Sequence, residues 1–364
     1  YGASPTILAA SATSGNPTLS LEMLTGRPAT AFTENTAAIP QRTFVFWQPP
    51  AILDTDTRRG VLDESARLLA RIVPNGDQAV AFVRSRHGVE YVAKETKNLL
   101  VQDFEPADLE HMVRAYRGGY LAHERRELEQ DLRSGEIRAM AATNALELGI
   151  DITGLDIVIT AGWPGTKASL WQQVGRAGRS GQEALAIFIA REDPLDAYVL
   201  HHPETFFDSE VEVAISNPSN EYVLAPHLCA AAQELPLTTV DLSQYFPSNT
   251  TEVLQTLVEQ GLLRKRPVGW FWTSTRSASA LADLRGTGGE TVRVVEQGTG
   301  RLCGYVDNAA SHRTVHEGAV YTHQGETFVV HELDLDAAVA LVEATPVDYT
   351  TFARDISCLL YTSP

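Results

Sequence analysis

Residues 170–181 read LWQQVGRAGRSG and set two arginines, Arg176 and Arg179, three positions apart among glycines. On a helix this spacing would place both guanidinium groups on one face. A guanidinium keeps its charge and donates two parallel hydrogen bonds, which suits it to binding phosphate. The pattern predicts one of two things: an arginine finger that stabilises a transferring phosphoryl group, or an exposed, salt-bridged helix face.

Short apolar segments alternate with helical ones ahead of this stretch. Strands are predicted over residues 42–47, 78–83, 112–116, 137–142, 155–160 and 183–190, with helices over 63–73, 87–98 and 122–134 between them. This alternation indicates an α/β fold with a parallel sheet. Ligands of such sheets lie at the carboxyl ends of the strands. We therefore expect Arg84, Thr143, Asp151 and the 170–181 stretch to meet at one edge.

A further apolar run, residues 6–10, precedes the segment Ser11-Ala12-Thr13. It predicts a buried strand whose end presents hydroxyl groups at the ligand edge of a sheet. Asn16-Pro17 then predicts the start of a helix.

After Pro203 the α/β alternation stops. Helices are predicted over 222–235, 237–246 and 251–258, followed by a hairpin of residues 262–266 and 270–273. Three helices and a two-stranded wing indicate a winged helix, which serves either in nucleic-acid binding or in protein packing. The wing carries Arg264, Lys265 and Arg266 beside Trp270, a combination that suits a nucleic-acid backbone and its bases.

Residues 290–344 contain five short alternating segments separated by glycine and polar turns. Strands are predicted over 290–296, 301–306, 318–323, 326–333 and 338–343. The pattern indicates a small β-barrel or curled sheet.

The composition limits the possible functions. The net charge of −17 over 364 residues argues against a protein that coats nucleic acid, but it permits a motor with a local basic groove. Three distant cysteines form neither a disulfide framework nor a zinc pattern, so we expect a cytoplasmic protein without a metal site in this chain. The sequence contains no apolar run long enough to predict a membrane span.

Four segments in order resemble motifs III, IV, V and VI of the superfamily-two, DEAD/DEAH-box helicases. They are residues 11–13 (SAT), 81–86 (AFVRSR), 142–151 (ATNALELGID) and 172–179 (QQVGRAGR). The sequence of the second core domain is similar to that of the YprA/MrfA-type DNA-repair helicases, which are relatives of the RecQ4-like and Lhr-like enzymes. The resemblance extends through the winged helix and up to Asp355.

The resemblance implies a role for each matching residue. Arg176 and Arg179 would reach the γ-phosphate of ATP, and Gln172 would open the same motif. Gly149 and Asp151 would contact ATP, the latter at its ribose. Ser11 and Thr13 would couple nucleotide state to domain closure. The residues implied in nucleic-acid contact are Ser85, Arg86 and Thr143, with Arg264, Lys265, Arg266 and Trp270 on the wing.

The resemblance also implies an ATP-dependent DNA helicase, moving 3′ to 5′ on single-stranded or partly duplex DNA in repair. An RNA helicase and a non-catalytic nucleic-acid-binding remodeller remain open, because the core motifs contact the backbone. The phosphate loop and the Asp-Glu pair that handles Mg²⁺ do not occur here. We therefore expect a fragment that lacks the first RecA-like domain and the C-terminal metal-binding region, and that hydrolyses ATP negligibly alone.

The predicted organisation follows from these patterns. It comprises a remnant of the first RecA-like domain (1–30), a linker with the first edge strand (31–60), the second RecA-like domain (61–200), the winged helix (204–285) and the small β domain (288–350). We expect residues 358–364 to be an adapter-derived artefact, since a common sequencing adapter would encode them.

Overall fold

Six parallel strands form the main sheet of the computed structural model. The structure describes residues 4–354 except 35, 37–40, 54–56, 105–108, 149–151, 153, 179–182, 208–209 and 283–289. The strands are β1 (Arg42–Trp47), β2 (Ala79–Phe82), β3 (Val113–Tyr116), β4 (Ala139–Ala142), β5 (Ile157–Ala161) and β6 (Ala184–Ile189). Their order across the sheet is β1-β6-β5-β2-β4-β3. Strand β1 lies at an edge, as the sequence predicts.

Four of the described helices connect these strands: α2 (Val61–Ile72), α3 (Arg86–Asp103), α4 (Ala122–Ser134) and α5 (Lys167–Val174). Helix α1 (Pro17–Thr25) precedes β1, and α6 (Pro194–His201) and α7 (Glu204–Phe207) follow β6. Because successive side chains of a strand point to opposite faces, β2 contributes Ala79 and Ala81 to one buried cluster and Val80 and Phe82 to another. The sheet therefore has an apolar core on each face, and the predicted α/β class is confirmed.

Two predicted elements differ in the structure. Residues 6–10 form no strand: Leu8 is 93% exposed, and no described strand pairs with this segment to satisfy its backbone. The predicted arginine helix ends at Val174, so Arg176 does not lie on a helix face. Gly175 and Gly178 explain this early end, because glycine disfavours helix and Gly178 adopts a positive φ of 89°.

The sequence also missed helices α6 and α7. Helix α6 begins with a signal that was present: Asp193 caps it through hydrogen bonds from Leu195 N and Asp196 N, and Pro194 follows. Asp196 is fully buried, and both of its oxygens accept from the guanidinium of Arg191 at 3.0 Å.

The chain divides into two compact units. The smaller unit comprises Ile215–Thr291 and Asp307–His312, and the larger unit comprises the other residues. The smaller unit is a winged helix of α8 (Glu221–Glu234), α9 (Thr239–Tyr245), α10 (Thr250–Glu259), β7 (Leu263–Arg266) and β8 (Gly269–Trp272). Leu228, Leu254 and Trp270 lie in its buried core. Gly269 must be glycine, since a Cβ there would lie 2.2 Å from the carbonyl oxygen of Leu237.

The larger unit also contains a mixed five-stranded sheet. Its strands are β9 (Val292–Glu296), β10 (Leu302–Val306), β11 (Val320–His323), β12 (Glu326–Asp334) and β13 (Val339–Ala344), in the order β10-β9-β13-β12-β11. A helix that the sequence missed, α11 (Asn308–Thr314), follows β10. The predicted small β region is therefore present, as one sheet with bulges at residues 302/304 and 330/332.

A buried charged cluster joins this sheet to the α/β layer. We call it the Glu90 network; it consists of Glu90, Arg117, Tyr120, Tyr321 and the turn 324–325. Glu90 Oε1 accepts from Arg117 Nε at 3.0 Å, from the Tyr120 hydroxyl at 2.5 Å and from Gln324 N at 3.2 Å, and Oε2 accepts from Gly325 N at 3.2 Å. A buried carboxylate is tolerated only when paired and hydrogen-bonded in this way.

Candidate functional site

The loop after β4 begins at Thr143, at the carboxyl edge of the main sheet. Its hydroxyl accepts a hydrogen bond from Ala145 N at 3.3 Å and so caps the short 3₁₀ turn Asn144–Leu146. Thr143 is buried next to the end of β3, where its amide donates to Tyr116 O. The hydroxyl of Thr143 still has its own proton to donate.

Glu147 follows this turn and binds side chains of α5. Its Oε2 accepts from Ser169 Oγ at 2.6 Å and from Gln173 Nε2 at 3.0 Å. Glu147 and Gln173 are both buried, so these hydrogen bonds are shielded from water. The loop after β4 is therefore fastened to the helix that precedes Arg176.

Arg176 lies in the turn after α5 and binds the same loop from the other side. Its Nη2 donates to Glu147 O at 2.6 Å, and its Nη1 donates to Ile152 O at 3.1 Å. The turn is fixed in return, because Gly154 N and Leu155 N both donate to Arg176 O. One guanidinium therefore ties the two ends of the 147–152 segment to the 175–178 turn.

Gln172 contacts the N-terminal segment. Its Nε2 donates to Thr13 Oγ1 at 2.7 Å, and Thr13 N in turn donates to Ser11 Oγ at 3.3 Å. The structure therefore brings Gln172, Thr13 and Ser11 into one chain of hydrogen bonds, although the segment before them forms no strand.

A recess of about 230 Å³ opens at the carboxyl ends of β2, β4 and β5. Its lining includes Arg84, Asn144, Thr160, Ser169 and Gln173. The structure thus brings Arg84 and Gln173 of the 170–181 stretch to the same edge of the sheet, whereas Thr143 does not line the recess and Asp151 lies outside the described residues. Thr160 Oγ1 and Gln173 Oε1 are buried there and have no hydrogen-bond partner among the residues that the structure describes. Two buried polar atoms without partners suit a site that a polar ligand completes.

Ser85 and Arg86 begin α3 beside this recess. Ser85 Oγ caps the helix by accepting from Gly88 N at 2.9 Å. The guanidinium of Arg86 lies next to the loop after β3, where a Cβ on Gly118 would be 3.7 Å from Nη2. Ser85 therefore combines a helix cap with an exposed position, and Arg86 is half-buried.

Each face of the wing of the smaller unit carries a basic residue opposite an aromatic one. Arg264 pairs across the hairpin with Phe271, and Lys265 pairs with Trp270. The Trp270 ring is only 6% exposed and has Lys265 Nζ 5.2 Å from its centroid. It therefore does not offer the free face that stacking on a base requires. Arg264, Arg266 and Phe271 instead line a recess of about 510 Å³.

Some predicted site residues lie outside the described part of the chain, namely Gly149, Asp151 and Arg179. The sequence in turn missed Glu147, Thr160, Ser169 and Gln173. Their common signal was position, since each lies at or soon after the carboxyl end of a strand or on α5, but single Glu, Thr, Ser and Gln residues are too common to single out.

Within the described residues, no group of three His, Cys, Asp or Glu side chains is arranged to hold a metal ion. None of the described helices has both the length and the apolarity needed to cross a membrane.

Comparison with known proteins follows the same division of the chain. The helicase conserved C-terminal domain matches residues 64–181, and the winged helix domain of the ATP-dependent helicase HRQ1 matches residues 216–287. The chain is 36% identical over 358 residues to the uncharacterized ATP-dependent helicase YprA of Bacillus subtilis, covering 97% of this chain and 47% of YprA. It is 32% identical over 324 residues to HRQ1 of Saccharomyces cerevisiae, covering 86% of this chain and 29% of HRQ1.

A solved structure agrees over nearly the whole chain. The DUF1998 helicase MrfA, crystallised with DNA and AMPPNP, superposes with a TM-score of 0.80 at 36% identity, covering 94% of this chain and 48% of MrfA. The chain thus spans about half the length of YprA and MrfA, and less of HRQ1.

The parallel sheet with its strand-end recess and arginine turn, followed by a winged helix, defines the C-terminal core of a superfamily-two helicase. Within that class the chain belongs to the YprA/MrfA-type helicases.

Proposed function

We propose that the protein is an ATP-dependent DNA helicase that translocates 3′ to 5′ on single-stranded or partly duplex DNA and acts in repair in the cytoplasm. The observation that carries the proposal is the joining of the 147–152 loop to the 175–178 turn by Arg176. The residues that the family assigns to ATP flank these contacts in sequence, so nucleotide binding on one loop would act directly on the other.

The chemistry assigned to the arginines is charge stabilisation. Arg179 and Arg176 would face the γ-phosphate, where a guanidinium offsets the charge that develops as the phosphoryl group transfers. Arg176 also binds the carbonyls of Glu147 and Ile152, which lie on either side of Gly149 and Asp151 in the sequence. Asp151 would accept a hydrogen bond from the ATP ribose. ATP supplies the energy of its terminal phosphoanhydride bond. Mg²⁺ would accompany ATP, but we assign no described residue to it.

Coupling of nucleotide state to movement is assigned to the Gln172–Thr13 hydrogen bond. This bond links α5, the helix that precedes Arg176, with the Ser11-Ala12-Thr13 segment, so a shift of one would move the other. Such a direct contact supports closure and opening of the cleft in step with hydrolysis.

Nucleic acid is assigned to the strand-end recess and to the wing. Next to the recess, at the start of the loop after β4, Thr143 would donate its hydroxyl to a backbone phosphate, and Ser85 and Arg86 follow Arg84 of the recess wall in the sequence. On the wing, Arg264, Lys265 and Arg266 supply positive charge to a chain whose net charge is −17. Because Trp270 is buried, we assign base stacking on the wing to Phe271, which lies beside Arg264. MrfA was crystallised with DNA, which supports DNA as the partner.

The test is strand displacement by the whole protein with ATP on duplexes that carry a 3′ tail or a 5′ tail. The proposal expects displacement from the 3′-tailed DNA, with loss in the Arg179→Ala variant. Displacement only from the 5′ tail would reverse the assigned direction, and activity only on RNA would replace the substrate. Strand binding with no ATP hydrolysis would favour the non-catalytic remodeller.

A further inference from the structure

A second recess, of about 400 Å³, lies between α3, the start of β3 and the turn at residues 324–325. Its lining includes three cations, Lys94, Lys97 and Arg114, and one acid, Glu90. This recess is lined by none of the residues assigned above to ATP or to nucleic acid. In a chain with 46 acidic and 29 basic residues, such a local excess of positive charge needs a reason.

Among the residues that the structure describes, none of the three cations forms a direct ion pair with a carboxylate, although Glu90 and Glu110 act on Lys97 at longer range. Lys94 and Lys97 are one turn apart on α3, and Lys94 is four residues from Glu90, the spacing of a helical ion pair. Glu90 forms no ion pair with either lysine, because its oxygens accept four hydrogen bonds within the Glu90 network. Arg114 donates only to the carbonyls of His111 and Val113 in the described structure.

The third wall of the recess is built at a conformational cost. Gln324 has a positive φ of 49°, which is uncommon outside glycine, in the two-residue turn between β11 and β12. The turn is held in place because Gln324 N and Gly325 N both donate to Glu90. The two-residue turn requires positive φ at both of its residues, and together with the hydrogen bonds to Glu90 it fixes where residue 324 lies. Here the positioned residue is Gln324, which lines the recess.

We propose that this recess binds a phosphate group, carried either by a nucleic-acid strand or by a free nucleotide. Lys94, Lys97 and Arg114 supply charge, and the amides of Asn98 and Gln324 supply hydrogen-bond donors. None of the described residues that line the recess is aromatic, so it recognises phosphate and not a base. Burial and the nearby Arg114 together lower the pKa of Lys97 against the opposing effect of Glu90 and Glu110, and a bound anion relieves this repulsion.

The experiment compares the whole protein with Lys94→Ala/Lys97→Ala and with Arg114→Gln. The matched control is Arg67→Ala/Arg71→Ala, which removes two exposed charges from α2 at a similar spacing. Calorimetric titration with inorganic pyrophosphate measures the phosphate site directly. Titration with a single-stranded oligonucleotide at several salt concentrations measures the affinity for a strand and its salt dependence. Thermal melting confirms that each variant folds.

The proposal expects weaker pyrophosphate binding in both recess variants and unchanged binding in the control. If a strand is the source, the double variant also lowers the slope of log K against log salt by about 1.4, at about 0.7 for each lost contact on single-stranded DNA. A pyrophosphate effect without an oligonucleotide effect assigns the site to a free nucleotide. Recess variants that match the control for both ligands overturn the proposal.

The strand source rests on the proposed function, whereas the pyrophosphate measurement does not. Failure of the proposed function would appear as a wild-type protein that binds no oligonucleotide. The pyrophosphate comparison would still decide whether the recess holds phosphate.

Discussion

Gln172 Nε2 lies 2.7 Å from Thr13 Oγ1, and this hydrogen bond links residues 159 positions apart in the chain. The two belong to segments that the family places on opposite sides of the ATP cleft. A single amide on α5, the helix that precedes Arg176, therefore contacts the segment assigned to coupling.

Removal of this hydrogen bond should uncouple hydrolysis from movement. In the whole protein we expect Thr13→Val to retain ATP hydrolysis but to lower the number of base pairs displaced per ATP. Thr13→Ser, which keeps the hydroxyl, should behave like the wild type. Equal loss of hydrolysis and displacement in Thr13→Val would contradict a coupling role.

Arg179→Ala should lower kcat for ATP hydrolysis by about three orders of magnitude, because an arginine finger contributes about that much. The affinity for a nucleic-acid strand should stay close to the wild-type value, because Arg179 is assigned to the phosphate of ATP and not to the strand. Steady-state hydrolysis and oligonucleotide affinity measure the two effects. A parallel loss of affinity would indicate a folding role.

Glu147→Gln should separate the positioning of Arg176 from its charge. Glutamine keeps the volume, but its amide presents one acceptor oxygen in place of a charged carboxylate to Ser169 and Gln173. We expect kcat to fall about tenfold, which corresponds to a rise of roughly 1.4 kcal/mol in the activation free energy. KM should rise by a smaller factor. Ser169→Ala, which removes one of the two donors, should show a smaller effect of the same kind. An increase in KM alone would place Glu147 in ATP binding.

Glu90→Gln should destabilise the larger unit strongly. Breaking one side of a buried ion pair costs about 3–5 kcal/mol, and Glu90 and Arg117 are 4% and 2% exposed. Glu326→Gln breaks the exposed pair with Arg301 and should cost about 0–1 kcal/mol. Denaturant unfolding of both variants provides the comparison. Similar midpoints for the two would show that the Glu90 network does not hold the sheet in place.

His323 should make the larger unit less stable in mild acid. Burial lowers the pKa of His323, and Arg117 lowers it further, although Glu124 opposes the shift. Below an unfolded pKa of about 6.5 the unfolded chain binds the proton first, so stability falls as the pH drops towards the lower folded pKa. Melting temperatures between pH 7.5 and 5.5 should therefore decline less in His323→Gln. His87, whose pKa burial also lowers, would leave a residual slope.

The sequence predicted the main sheet because period and burial agree there. Segments such as 79–82 are apolar throughout and lie between helices, and parallel strands buried on both faces have that composition. The same argument predicted that Arg84 and the loop after β4 would meet, since carboxyl ends of parallel strands share an edge.

Other features depended on contacts between segments far apart in sequence. The apolar run at 6–10 looked like a strand, yet strand formation requires a partner that the local pattern cannot supply. Helix α5 was predicted too long because the arginine spacing fits a helix, whereas Ala177 forms a bridge with Leu155 instead. Trp270 looked like a stacking residue, but packing against the helices of its own unit buries it.

The Glu90 network attaches the five-stranded sheet to the α/β layer of the larger unit, so it determines how the sheet responds to a movement of that layer. One carboxylate on α3 receives donors from the loop after β3 and from the turn between β11 and β12. A Cβ on Gly119 would lie 2.5 Å from Tyr305 O, so the backbones of the two layers already touch. Contacts this close leave little slack. The five-stranded sheet is therefore fastened to the layer that carries the arginine turn, and any rotation of that layer would have to carry the sheet with it.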